Sequence, residues 1–205
     1  MIERRAALLV LAGVSVFWAA MLAGARVNPG YAHRRDYVSA LAARGVEHPW
    51  LGMVAIAMIG CAGLAAAALV RRLTRAGALA FAAAGVGFVV VALARVDCPD
   101  GAARCGLGGR FEVHGTAAIT HWTAAVVSSI LVIVGMAVVG IELVQRRRMA
   151  AGAATLVAAG TTLVALLATG GQSPGTVQRI WILVMTGWLA GAAAVALVRS
   201  AGSRR

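Results

Sequence analysis

The sequence predicts an all-α integral membrane protein, a bundle of six transmembrane helices with both termini in the cytoplasm. Three observations lead there. The chain of 205 residues is 61% hydrophobic and 13% charged, against about 25% charged residues in soluble domains. Its apolar residues fall into six runs, each near the roughly 20 residues needed to cross a bilayer. Finally, its basic residues gather at the ends of those runs, as topology-setting charges do.

The first span covers about residues 6–25, long enough for one crossing. It follows Glu3-Arg4-Arg5 and ends near Ala23-Gly24-Ala25. A basic start, an apolar run and small residues also fit a cleavable signal peptide, but the run is longer than a signal's apolar core, so a retained helix is expected. The later spans fall at about 50–70, 77–94, 114–144, 150–168 and 177–198, again by the length of one crossing. Arg71-Arg72 stops the second, Arg95-Val96-Asp97 the third and Arg146-Arg147-Arg148 the fourth. A Gly-Gly-Gln-Ser-Pro-Gly stretch at 170–175 turns the fifth into the sixth. These spans and their connections use nearly the whole chain as one transmembrane domain.

Charge bias sets the orientation. Arg4, Arg5, Arg71, Arg72, Arg75, Arg146, Arg147, Arg148, Arg199, Arg204 and Arg205 fall on one side, in very short connections. The positive-inside rule makes that side cytoplasmic. The longer connections, at about 26–49, 95–113 and 169–176, then face outward. The setting expected is a bacterial-type cytoplasmic membrane. The net charge of +12 is carried entirely by arginine beside apolar spans, which argues against nucleic acid as a partner and for membrane lipids.

Cys98 and Cys105 lie in the second outward connection. An extracytoplasmic compartment permits a disulfide closing this short loop, and that is the expected state. Two free thiols or a metal pair are the alternatives, with no further histidine or cysteine nearby to complete a zinc set. Cys61 stands alone in the second span and is expected to pack inertly.

The fourth span carries the most chemistry. His114, His121, Ser128, Gly135 and Glu142 recur every seven residues. A helix turns about 100° per residue, so this spacing drifts only about 20° per step and the five share one stripe. Polar groups avoid lipid, so the stripe marks the face turned inward. Its functional reading is a polar path or site with His114 and His121 as proton-transfer groups or ligand donors. Its bland reading is satisfied histidines with Ser128 and Gly135 allowing close packing. Histidines seven apart are separated by roughly 10.5 Å along the axis, too far for shared metal ligation. The remaining histidines, His33 and His48, lie in the first outward connection, so a bis-histidine haem has no facing partner. No metal or other cofactor is expected.

A second group gathers at the outward ends of the spans: Asp36, Arg95, Asp97, Arg110, Glu112 and Arg179. Arginine forks match phosphate oxygens, which suggests a headgroup or isoprenoid-phosphate site. Equally, such arginines anchor helix ends and pair with nearby acids. Trp122 and Trp181 sit at the same level, as an aromatic belt predicts. Trp181 and Trp188, and Phe81 and Phe88, form one-face stripes that suit either packing or the wall of an apolar cavity. The segment Asp36 to Arg44 is compatible with two helical turns lying over the bundle mouth as a lid. Gly187-x-x-x-Gly191 permits close helix approach, within the bundle or between two copies.

The first outward connection, with Tyr31, Asp36, Tyr37 and Ser39, the acid Asp97 closing the third span, and His114-Gly115 opening the fourth make the chain resemble a bacterial family catalogued as domain of unknown function 998. The resemblance covers nearly the full length. It implies a six-helix fold and brings no activity with it.

Three functional readings follow. The leading one is a non-catalytic protein with an outward polar cavity that binds or handles a lipid, isoprenoid or other apolar ligand, using Asp36, Arg95, Arg110, Arg179, Trp122 and Trp181. The absence of a P-loop or G-x-G-x-x-G argues against a self-powered pump. The second is an intramembrane enzyme acting on a lipid or isoprenoid by acid–base chemistry through Asp97, Glu112, His114 and His121. The third is a homo-oligomer or a subunit of a larger membrane assembly. An acid close to His114 in an apolar pocket would favour the second over the first.

Overall fold

The computed structural model describes residues 2–97, 115–170 and 172–202. It is built from six helices: α1 (Ile2–Val27), α2 (Pro49–Val70), α3 (Arg75–Leu93), α4 (Thr116–Gln145), α5 (Met149–Leu167) and α6 (Pro174–Gly202). All six are long and apolar enough to cross a membrane. The expected disulfide of Cys98 and Cys105, and the candidate residues Arg110, Glu112 and His114, lie outside the described residues.

Local chemistry explains where the helices begin and turn. Pro49 opens α2 and Pro174 opens α6, where a missing N–H costs nothing. Thr74 caps α3, its hydroxyl accepting the Gly77 N–H at 3.3 Å. Between α4 and α5 the chain reverses in three arginines, and Arg147 adopts the left-handed region with φ 60°. Arg146 steadies that turn by donating to Glu142 at 2.7 Å and to the Leu73 carbonyl at 3.0 Å. It thereby ties the α4–α5 turn to the α2–α3 turn.

Each helix packs on its neighbours in sequence, and α6 returns to α1, so the six close into a ring. Small residues set the spacing. A Cβ on Gly60 of α2 would lie 2.7 Å from the Gly85 carbonyl oxygen of α3, and a Cβ on Gly85 would lie 2.7 Å from that of Gly60. Two backbones this close leave no room for a side chain between them. Large apolar residues such as Leu8, Leu79, Val157, Val164 and Val198 cover the outside of the ring, where lipid replaces water as the solvent.

The connection between α1 and α2 folds back over one end of the ring. It carries a short 3-10 segment, Val38–Ala42, in place of the expected two turns from Asp36. The reason is competition for carbonyls. Arg179 takes the Asp36 carbonyl at 3.0 Å, while the Ala40 N–H reaches only to the Tyr37 carbonyl. Val38, Ala40, Leu41 and Ala42 are buried, and Asn28 pins the ends of the connection by donating to Gly24 and accepting from the His48 N–H. We call this connection the lid.

Candidate ligand cavity beneath the lid

Beneath the lid, the ring encloses a cavity of about 550 Å³, counting its open mouth. Five helices and the lid line it; α5 does not. Its deeper wall is apolar, with Phe17 of α1, Ile56 and Ile59 of α2, Phe88 and Val91 of α3, and Ile182 and Met185 of α6. Its polar residues are Ser39, His121, Ser129 and Gln178. On α6, Gln178, Trp181, Ile182 and Met185 follow the i, i+3, i+4, i+7 pattern of one helical face. From Gln178 to Met185 the wall runs about 10 Å along the axis, at 1.5 Å per residue.

His121 is buried, and its Nδ1 lies 2.8 Å from the Ala94 carbonyl oxygen. A carbonyl only accepts, so Nδ1 carries the proton and Nε2 presents a lone pair. Trp122 meets the His121 ring edge-on at 5.7 Å and the Tyr37 ring at 5.9 Å. Ser129 donates to the Ala125 carbonyl at 2.8 Å, leaving its hydroxyl oxygen able to accept. Trp181 is 5% exposed, and its indole N–H meets no acceptor among the described residues.

The middle of the seven-residue stripe of α4 turns inward: His121, Ser128 and Gly135 are buried, while Glu142 is half-buried and pairs with Arg146 and His114 lies outside the described residues. Yet Ser129, one position on, faces the cavity, while Ser128 packs against Gly87 of α3. The two aromatic stripes divide similarly. Phe88 and Trp181 line the cavity, whereas Phe81 and Trp188 stack on one another two turns further from the lid, with centroids 5.4 Å apart and planes 10° apart. Trp188 also donates to the Thr155 hydroxyl of α5 at 3.1 Å.

The arginines at this end hold the lid. Arg179 donates to the carbonyls of His33 at 2.6 Å, Gly175 at 2.7 Å and Asp36 at 3.0 Å, and to the Tyr31 hydroxyl. Its guanidinium also sits 5.5 Å from the centre of the Tyr31 ring. Arg95 donates to the Ala42 and Ala43 carbonyls at 2.8 and 3.1 Å. Gln178 accepts the Val38 N–H at 2.7 Å, so the lid is fastened to α6 beside the cavity.

Asp36 and Asp97 are bonded to groups other than His121. Asp36 is fully buried, accepting the Ala32 N–H at 2.7 Å and pairing with Arg35 at 3.1 Å. Asp97 is exposed on the surface and pairs with Arg44 at 3.3 Å. Among the described residues, no three of His, Cys, Asp and Glu are grouped as a metal would need. Ser39, Ser129 and Gln178 line the cavity and Tyr31 meets Arg179 beside it, roles that the sequence did not assign to them. Tyr31 and Ser39 carried only the family resemblance, and Gln178 shares a helical face with Trp181 and Met185.

A family model described as Protein of unknown function (DUF998) matches residues 11–195, taking in the cavity, the lid, α2 to α5 and most of α1 and α6. The chain belongs to that family. No curated protein and no solved structure matches it. This DUF998 protein is therefore a multi-pass membrane protein whose most distinctive feature is an apolar cavity under a fastened loop.

Proposed function

We propose that the protein is a non-catalytic membrane protein that binds a lipid or other apolar ligand in the cavity beneath its lid. In this reading, the termini and the arginine-rich turns lie in the cytoplasm, and the lid end faces outward, as the positive-inside rule expects. The cavity itself carries the proposal. Mostly apolar walls with a few placed polar groups are the usual make-up of a small-molecule site, and the lining here, with Ser39, His121, Ser129 and Gln178 set among apolar side chains, has that make-up.

An acid–base enzyme is less well supported. Asp36 and Asp97 are each paired with an arginine. His121 is oriented by a backbone carbonyl rather than by a carboxylate.

Native mass spectrometry of gently extracted protein tests the proposal. The wild-type chain should carry a co-purifying apolar molecule, and Ala125→Phe, which places a ring in the cavity, should lose it. Bare protein in both cases, or equal retention by the variant, would count against a ligand at this site.

A further inference from the structure

We infer that the cavity selects an uncharged amphiphile with a hydroxyl head, rather than a phosphorylated or otherwise charged lipid. The inference rests on the binding reading above and narrows it to a ligand class.

Charge decides the first part. No arginine, lysine, aspartate or glutamate of the described residues lines the cavity. Of the described arginines at this end, Arg179 and Arg95 donate to lid carbonyls and Arg44 meets Asp97, while Arg110 lies outside the described residues. A charged head in this cavity would meet no countercharge among the described residues, and a buried unpaired charge is strongly disfavoured.

Hydrogen-bonding capacity decides the second part. His121 offers a lone pair at Nε2, because its Nδ1 proton is held by the Ala94 carbonyl. Trp181 on the facing helix buries an indole N–H without an acceptor among the described residues, which is a rare condition for a buried donor. A hydroxyl both donates and accepts, so it can answer the His121 lone pair and offer its oxygen to the Trp181 N–H. A plain hydrocarbon answers neither. The apolar wall from Phe88 to Met185 then takes the tail. Long-chain alcohols and neutral diacylglycerols share this chemistry.

The full chain in lipid nanodiscs would be incubated with dodecanol, dioctanoylglycerol, dodecane or dodecyl phosphate and examined by native mass spectrometry. One hydroxyl-bearing probe or both should bind about tenfold more tightly than dodecane or dodecyl phosphate, as expected for one buried hydrogen bond. Preference for dodecanol would indicate a single-chain source and preference for dioctanoylglycerol a glycerolipid. In His121→Leu the advantage over dodecane should shrink, a ratio insensitive to modest loss of stability. Dodecyl phosphate binding as tightly as the alcohols, or dodecane matching them, would overturn the selection of a neutral hydroxyl while leaving the cavity a binding site. Probe binding that Ala125→Phe does not reduce, or no binding of any probe, would overturn the binding reading as well.

Discussion

Gly175, in the first turn of α6, lies so close to the lid that a Cβ on it would stand 2.5 Å from the Asp36 carbonyl oxygen. The same Cβ would stand 2.6 Å from the His33 carbonyl oxygen. The lid backbone therefore rests directly on the start of α6, within reach of Arg179.

Gly175→Ala should displace the lid, because backbone cannot yield as a flexible side chain would. A destabilisation of about 1–3 kcal/mol is expected for this overpacking, read as a lowered thermal midpoint. Gly187→Ala is the control. It adds a methyl where nothing lies within 4 Å, so no loss is expected.

Arg179→Met keeps much of the apolar stem and removes every hydrogen bond to the lid. A loss of about 2 kcal/mol is expected from the unmade bonds. Limited trypsin digestion should cut faster at Arg34, Arg35 and Arg44, all carried by the lid. Arg179→Lys should restore only part of the protection: one guanidinium nitrogen meets the His33, Asp36 and Gly175 carbonyls while the other donates to the Tyr31 hydroxyl, and a single ammonium has no second nitrogen for Tyr31.

Burial pushes the Tyr31 hydroxyl up to about 12, outweighing the opposing pull of the Arg179 guanidinium; Asp36 adds a smaller push in the same direction. The folded value exceeds the ordinary 10.0, so the folded state holds this proton more tightly than the unfolded one. The stabilisation is fully present below pH 10 and is lost as pH rises through about 12. Burial also raises the Tyr37 hydroxyl above its ordinary value, so an absorbance titration at alkaline pH should show both tyrosines late, with Tyr31 the later step and the one that Tyr31→Phe removes. A Tyr31 step at the ordinary value would show that the phenol is not buried under Arg179.

Gly87 and Ser128 make the α3–α4 contact, and a Cβ on Gly87 would collide with the Ser128 hydroxyl. Gly87→Ala alone should therefore lower stability. Adding Ser128→Ala removes the colliding oxygen and leaves the Ser128 Cβ at 3.3 Å, so the double variant should recover. The two effects should be non-additive, as expected for residues in direct contact. Additive losses would place the two residues out of contact.

The six helices were legible because hydropathy and arginine placement report the bilayer directly, and the inward face of α4 was legible from its polar period. The use made of Arg179 was not. An arginine opening a membrane helix reads as a headgroup ligand, and nothing local reveals that its acceptors are the carbonyls of His33 and Asp36, more than 140 residues earlier. For the same reason Asp36 to Arg44 reads as a longer helix than it forms, since its carbonyls are claimed by a distant side chain. Aromatic stripes carried half a signal: spacing placed Phe81 with Phe88 and Trp181 with Trp188. Which of each pair lined a cavity depended on how far from the lid the ring closes.

In the proposed function, the space under Val38–Ala42 holds a ligand. An experimental density map of the full chain in native lipid tests this most directly. Elongated density is expected between Phe88, His121 and Met185, with its polar end near His121. A map in which Phe17, Phe88 and Met185 close together and fill that space, with the lid still fastened by Arg179, would contradict it.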